Sequence, residues 1–372
     1  MKILLLSAYH APSHRRWTRG VVEHLSEHDV QVFTQPPRHF YWRARGNSLY
    51  WAMDDDLCAA AAESDLLLTT SMVDLAGLRG MQPALAALPT AVYYHENQFA
   101  YPTRNLRKNA NLLVTNLYTA LAGDQVYFNS AYNRRSFLDG VDTFLAKMPD
   151  QIPPDVASTI EAKSSVLPVP LADDLYPDRA ATRSPGPLTI LWNHRWEYDK
   201  APQRFFNALF ALHDEGHAFR LVVVGQQFRE VPPIFDEARE RLAGCIDQWG
   251  WVESRQEYLR WLDESDVVVS TALHEFQGLA VQEAALRGCL PVLPDRLAYP
   301  DFFDDSFLFA GDLDDTIADT DALIAHLRPL MADPTEARRR PRADLESLRW
   351  SRLAGRYDDA LSSLVQGGAF TS

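Results

Sequence analysis

Short, continuously apolar runs alternate along the chain with stretches of helical period, and they do so in two series. The first series predicts strands at Ile3–Ala8, Val30–Thr34, Leu66–Thr70, Ala91–His95, Gln125–Asn129 and Ser165–Val169. Amphipathic helical patterns fall between several of them, at Arg16–Glu27, Leu112–Ala122 and Ala131–Leu145. The second series predicts strands at Leu188–Asn193, Arg220–Gly225, Asp247–Val252, Val267–Thr271 and Leu290–Leu293. Its helices are expected near Ala201–Glu215, Ile234–Ala243, Arg255–Glu264 and Leu279–Arg287. Strands that are apolar on both faces and separated by helices imply parallel sheets covered on both sides. Two such series imply an α/β chain of two doubly wound, Rossmann-like domains.

Proline places the boundary. Residues 149–187 hold 8 of the 23 prolines, and proline marks loops and domain edges. Within that stretch Val166–Leu171 reads as the closing strand of the first domain, and the linker falls near Ala180–Pro187. The domains are therefore expected at 1–182 and 186–372. Beyond the second series, Asp333–Pro341 reads as a polar break. The pattern Leu345–Leu364 then reads as a helix with Trp350, Leu353, Tyr357, Leu361 and Leu364 on one face, expected to pack back on the first domain.

Composition narrows the class. With 47% hydrophobic and 23% charged residues the chain can bury a substantial core. Cys58, Cys245 and Cys289 are widely spaced and form no C-x-x-C pair, which suits unpaired thiols in a reducing compartment. The N-terminus lacks the long apolar region and cleavage site of a signal peptide, and no run approaches the roughly 20 apolar residues of a membrane helix. A cytoplasmic protein without a membrane partner is expected. The formal net charge of −14 argues at first against a polyanionic partner. The charge is uneven, however: residues 1–150 carry 14 basic and 14 acidic side chains, and the rest of the chain carries the whole excess. An anion-seeking surface therefore belongs in the first half.

In open parallel sheets, ligands bind beyond the carboxyl ends of the strands, so two facing domains of this kind make a cleft with one substrate held by each half. The loop after the first strand, Tyr9-His10-Ala11-Pro12-Ser13-His14, contains no G-x-G-x-x-G, which speaks against a nicotinamide or flavin site there. No P-loop, H-E-x-x-H or His/Cys cluster of metal-ligand spacing occurs. Three segments at strand ends can carry chemistry. In Ser270–Pro294, Glu275 and Glu283 stand eight apart, and Gly278 opens a helix whose amides could approach a phosphate or sugar oxygen. Glu283 could then chelate a diol, while the bland reading is two solvated glutamates. In Trp192–Lys200, Arg195 and Lys200 bracket a loop and suit a diphosphate; the bland reading is an ion pair with Glu197 or Asp199. Tyr93–Gln98 ends a first-domain strand and presents His95, which is either a sugar contact or a satisfied structural histidine.

These segments resemble retaining GT-B glycosyltransferases, through the E-x7-E segment and the Arg195…Lys200 pair. Ser13-His14, Tyr41–Arg45, Tyr94–Gln98 with Tyr101-Pro102, and Trp192–Lys200 are similar to one branch, the tRNA-queuosine mannosyltransferases, and the motifs span about residues 7–300, most of the chain. Two departures are visible: His10-Ala11-Pro12 stands where many relatives have glycines, and Glu275-Phe276-Gln277-Gly278-Leu279 stands where they often have E-G-F-G-L. The resemblance implies two facing Rossmann-like domains, an acceptor (tRNA) domain followed by a nucleotide-sugar domain. It implies transfer of mannose from GDP-mannose to queuosine at the wobble position of an aspartate tRNA, with retention and without a metal. His95, Glu275, Arg195 and Lys200 would be catalytic. Gln277, Gly278, Leu279 and Glu283 would complete the donor site with Arg195, Lys200 and Glu275. Ser13, His14, Trp42, Arg43, Arg45, Asn97 and Gln98 would meet the RNA, and no DNA partner is implied.

RNA recognition combines cations for phosphate with aromatic stacking on splayed bases. Arg15, Arg16 and Arg19, the Arg38–Arg45 segment, and Arg104, Arg107 and Lys108 are the available cations; residues 38–45 could equally be a half-buried strand or loop. The Arg338–Arg342 run reads as a solvated turn. Glu96 is the candidate should a carboxylate nucleophile be needed. Two rival readings are a GT-B enzyme for a glycan, lipid or metabolite acceptor, and a non-catalytic nucleotide-sugar or RNA-binding protein.

Overall fold

Among the described residues twelve strands form two six-stranded parallel sheets. The computed structural model describes residues 1–101, 106–176, 183 and 185–368. Two compact units account for the chain: Met1–Pro170 with Leu348–Ser372, and Leu171–Ser347. The linker expected near Ala180–Pro187 lies partly outside the described residues.

The first unit contains β1 (Lys2–Ser7), β2 (Asp29–Thr34), β3 (Leu66–Thr70), β4 (Thr90–Tyr94), β5 (Gln125–Phe128) and β6 (Ser164–Val166), in the order β2-β1-β3-β4-β5-β6. Ile3 to Leu6 and the whole of β3 and β4 are buried, as strands covered by helices on both faces must be. The edge strand β2 is only half-buried. The closing strand β6 stops at Val166 because Pro168 and Pro170 lack the amide that would continue the ladder. The first-unit core runs through Leu4, Leu6, Leu67, Val92, Tyr94, Phe128 and Phe137.

The second unit contains β7 (Leu188–Trp192), β8 (Phe219–Val224), β9 (Ile246–Gly250), β10 (Val267–Val269), β11 (Leu290–Pro294) and β12 (Leu308–Phe309). Read from the other edge, the order β9-β8-β7-β10-β11-β12 is the doubly wound arrangement 3-2-1-4-5-6. Its switch point lies between β7 and β10. The loops after these two strands are therefore neighbours.

Three expectations are corrected. Residues 40–52 are neither strand nor loop but a helix, Phe40–Ala52. Its buried positions include the small or polar residues Ala44, Gly46, Asn47 and Ser48, so no hydrophobic period announces it. The break Asp333–Pro341 contains the helix Pro334–Arg339, capped by the Asp333 carboxylate, which accepts from the amides of Thr335 and Glu336. The Arg338–Arg342 run is not a solvated turn: Arg338 donates twice, at 2.9 Å, to the buried Asp266 carboxylate.

The helix Trp350–Gly368 belongs to the first unit. The Tyr357 hydroxyl donates to the Pro168 carbonyl at 2.9 Å and accepts from the Trp17 indole at 3.1 Å. It also lies 3.0 Å from the Tyr93 hydroxyl, which donates to the Leu167 carbonyl at 2.7 Å.

Candidate functional site

In the second unit the loop after β7 is locked to the loop after β10. The Thr271 hydroxyl donates to the Lys200 and Ala201 carbonyls at 2.9 and 3.1 Å, and the Leu273 amide donates to the Asp199 carbonyl at 2.8 Å. At the end of β8, Gly225 has φ 151°, and a Cβ there would collide with the His194 carbonyl. The glycine lets the β7 loop pass close enough for the Trp196 amide to bond the Gln226 carbonyl at 3.0 Å.

This scaffold brings Lys200 and Glu275 together. The buried Lys200 ammonium donates to the His274 carbonyl at 2.7 Å and to Glu275 at 3.2 Å, and it lies 3.2 Å from Asp199. Burial and Arg195 would lower its pKa, but Glu275 and Asp199 outweigh them and hold it above the usual lysine value. Burial would raise the Glu275 carboxyl. Lys200, His194 and the Gly278 amide overcome that and bring it down to about 2. Arg195 is half-exposed, 2.9 Å from Glu197 and 4.0 Å from Asp199. The ion pair proposed as its bland alternative thus coexists with a place beside Lys200. His194, buried by the Val269 carbonyl, is pushed down to about 4, first by burial and then by Lys200.

Gly278 caps the helix Leu279–Leu286 with φ 82°, a left-handed conformation that glycine adopts without strain. Leu279 is the first residue of that helix. Gln277 is buried and exchanges hydrogen bonds with Gln282, side chain to side chain at 3.1 Å and from the Gln282 amide group to its own carbonyl at 3.1 Å. Glu283 is also buried and accepts from the Tyr258 hydroxyl at 3.0 Å; that hydroxyl in turn accepts from Asn193 at 3.2 Å. Trp192 and Trp196 are core residues, the latter stacked on Phe235 at 3.9 Å. Among the described residues no group of three or more His, Cys, Asp or Glu is placed to hold a metal.

In the first unit His95, just past β4, stacks on His14 from the helix Pro12–His24, with ring centroids 4.3 Å apart. Trp17 meets His95 edge-on at 4.8 Å. Burial, then His10, pushes His14 down to about 4; burial, then His14, holds His95 well below the usual range. Both rings are therefore neutral near pH 7. His14 Nδ1 and His95 Nε2 are buried without a hydrogen-bond partner. Ser13 is exposed on the same helical turn.

The polar run after His95 builds the loop rather than facing outward. The Asn97 amide group donates to the Asn133 side chain at 2.8 Å and to Ser136 at 3.0 Å, and its oxygen accepts from the Ala100 amide. The Gln98 amide donates to Asn116 at 3.0 Å. The Glu96 carboxylate accepts from the Tyr101 hydroxyl at 2.7 Å. Asn129 donates to the His95 carbonyl at 2.9 Å. On the helix Phe40–Ala52, Trp42 is 62% exposed, Arg43 donates to Gln35 at 2.7 Å, and Arg45 reaches Thr115 at 3.0 Å and Asp74 at 3.3 Å. Arg15, Arg19 and Arg38 are exposed. Pro102 and Arg104, with the side chains of Arg107 and Lys108, lie outside what is described. Sequence reasoning missed Tyr258 and Gly225, and gave Asp199 only as an ion-pair partner of Arg195. Only Gly225, a glycine closing an apolar run, left a signal.

Comparison with known proteins assigns the two halves. Residues 2–171 match the family model for the N-terminal part of tRNA-queuosine alpha-mannosyltransferase, and residues 187–333 match that for glycosyl transferases group 1. A tRNA-queuosine alpha-mannosyltransferase of Drosophila melanogaster is 34% identical over 310 residues, covering 81% of each chain. Among solved structures, a glycosyltransferase from Rickettsia africae superposes with TM-score 0.65 at 14% identity, over 100% of this chain and 99% of that one. An alpha,alpha-trehalose-phosphate synthase from Burkholderia vietnamiensis gives 0.63 at 14% identity, over 100% and 98%. These structural likenesses give the fold, the GT-B arrangement of two Rossmann-like domains, while the family model and the fly relative give the enzyme class, a glycosyltransferase. The coverage and identity of the fly relative, with the N-terminal family match, place this chain in the tRNA-queuosine alpha-mannosyltransferase family.

Proposed function

We propose that the enzyme transfers mannose from GDP-mannose to the cyclopentenediol of queuosine in the anticodon of an aspartate tRNA, with retention of the α anomer. The observation that carries this reading is the contrast between the two matches: the second unit fits a general glycosyltransferase model, whereas the first fits one specific to queuosine mannosylation. The acceptor is therefore assigned to the first unit and the nucleotide-sugar to the second.

In this reading the diphosphate of the donor sits against Arg195 and Lys200. Glu275, with the amides at Gly278 and Leu279, holds the sugar, while Glu283 takes the two ribose hydroxyls and Gln277 shapes the loop through Gln282. During transfer the acceptor oxygen bonds to the anomeric carbon, and the bond from that carbon to the diphosphate breaks with its electron pair. The hydroxyl proton leaves to the departing diphosphate. The main contribution of the protein is prearranged positive charge at the leaving group, so no covalent step through Glu96 is required. His95 and His14, both neutral with one free ring nitrogen, are assigned to hydroxyl groups of the sugar or queuosine. Ser13 stands beside them; Asn97 and Gln98 act by building the His95 loop. Trp42, Arg43 and Arg45 are assigned to the RNA.

A donor screen on tRNA from cells with and without queuosine, read by nucleoside mass spectrometry, tests the proposal. Mannosyl-queuosine should form from GDP-mannose on queuosine-containing tRNA alone. Equal transfer to tRNA lacking queuosine would sink the acceptor assignment, and preference for another sugar nucleotide would sink the donor.

A further inference from the structure

The helix Phe40–Ala52 spends a glycine in its interior, where glycine is among the weakest helix formers. Gly46 is buried, and what covers it is the indole of Trp42, one turn earlier. A Cβ at position 46 would meet Trp42 Cε2 at 2.6 Å, Cζ2 at 2.7 Å and Cδ2 at 3.0 Å. Three ring carbons so nearly equidistant mean that the indole lies face-down on the helix backbone. Its other face is open, and the residue is 62% exposed. At helical spacing Trp42, Arg45, Leu49 and Met53 share one face. Leu49 is 51% and Met53 73% exposed, and half of the Arg45 side chain remains in solvent although its tip reaches Asp74 and Thr115. The neighbour of Trp42 in sequence, Tyr41, is 66% exposed.

Two observations say what covers this face. Residues 35–53 contain Arg38, Arg43 and Arg45 and no acidic residue, in a chain of net charge −14. The helix also starts beside the loop that leads into the His14 helix: Phe40 packs edge-on against Tyr9 with centroids 5.4 Å apart. A flat, exposed aromatic on a helix that carries arginines and no acidic residue of its own fits the π-face of an unpaired base. Resting on the tRNA acceptor assigned above, we propose that Trp42, laid flat by Gly46, is a stacking platform for an unpaired nucleobase of the anticodon loop.

The test varies queuosine-containing tRNA at saturating donor for Trp42→Ala, Trp42→Phe, Gly46→Ala and the Trp42→Ala/Gly46→Ala double variant. Binding of the same tRNA without donor is measured in parallel. Trp42→Ala should raise the tRNA KM and Kd about 5- to 100-fold, leave the donor KM unchanged, and be largely rescued by Trp42→Phe. Gly46→Ala should also weaken tRNA binding, because its methyl group lifts the indole, even though alanine favours the helix. The double variant should be no worse than Trp42→Ala alone. A tRNA Kd within twofold of wild type in Trp42→Ala, or losses that multiply in the double variant, would overturn the platform. A wild-type protein that binds this tRNA yet transfers nothing to it would overturn the acceptor assignment instead, and the binding series would still decide the role of Trp42.

Discussion

Lys200 Nζ lies 3.2 Å from Glu275 Oε2, across 75 positions of sequence and between the loops of two adjacent strands. Lys200 is buried and Glu275 largely so, and breaking the pair from one side strands the partner. Lys200→Met should cost about 3–5 kcal/mol of stability in urea unfolding and lower transfer about 10²- to 10³-fold. The double variant Lys200→Met/Glu275→Gln should recover most of the stability and none of the activity. A double variant as unstable as the single one would show that the pair is not the source of the loss.

Asp199 competes with the donor. It lies 3.2 Å from Lys200 and 4.0 Å from Arg195, the two cations assigned to the diphosphate. Asp199→Asn removes that rival while leaving its backbone carbonyl bonded to the Leu273 amide. The donor KM should fall about fivefold, the worth of roughly 1 kcal/mol of partly exposed ion pairing. An increase in donor KM would show that Asp199 orients Lys200 rather than masking it.

Tyr258 holds Glu283 in place from a different helix, Arg255–Glu264. A hydrogen bond to a carboxylate is worth about 1.5–3 kcal/mol, so Tyr258→Phe should raise the donor KM about tenfold. If Glu283 binds ribose and takes no part in bond breaking, kcat should change little. A fall in kcat at unchanged KM would move Glu283 from binding to chemistry.

Histidine burial sets the acid limit. His14 and His194 titrate near 4 in the folded protein, against about 6.5 in the unfolded chain. Between these values the unfolded state binds more protons, so stability is fully present above pH 6.5 and falls as the pH drops toward 4. Each group can cost up to about 3 kcal/mol over that window. Glu275, lowered from 4.5 to about 2, adds a further loss below pH 4.5. Urea midpoints from pH 7 to pH 4 should show the slope, and His14→Gln should reduce it by about one proton. An unchanged slope would mean that His14 is not protonated on unfolding.

What the sequence made legible follows from how each feature is encoded. The interior strands β1, β3, β4, β7, β8, β10 and β11 show themselves as apolar runs, because sheets buried on both faces need them, whereas the edge strand β6, Ser164–Val166, carries a single apolar residue. The helix Phe40–Ala52 hides because Gly46, Asn47 and Ser48 line its buried side. The proximity of Arg195, Lys200, Glu275 and Glu283 follows from strand order at the switch point, which motif position already suggests. Asp199, Tyr258 and the neutral state of His14 and His95 depend on who packs against whom. Asn97 shows the opposite case: its type and place suggested a contact, and its bonds to Asn133, Ser136 and Ala100 make it a loop builder.

The helix Trp350–Gly368, bonded through Tyr357 to Trp17 and Pro168 and adjoining Tyr93, is translated after all of Leu171–Ser347. On the ribosome the second unit can complete its sheet while the first still lacks its final helix. Trp17 and Tyr93, which pack against the His95 ring, lack their Tyr357 partner until then. The surroundings of the histidine pair are therefore completed only after the whole second unit has been synthesised.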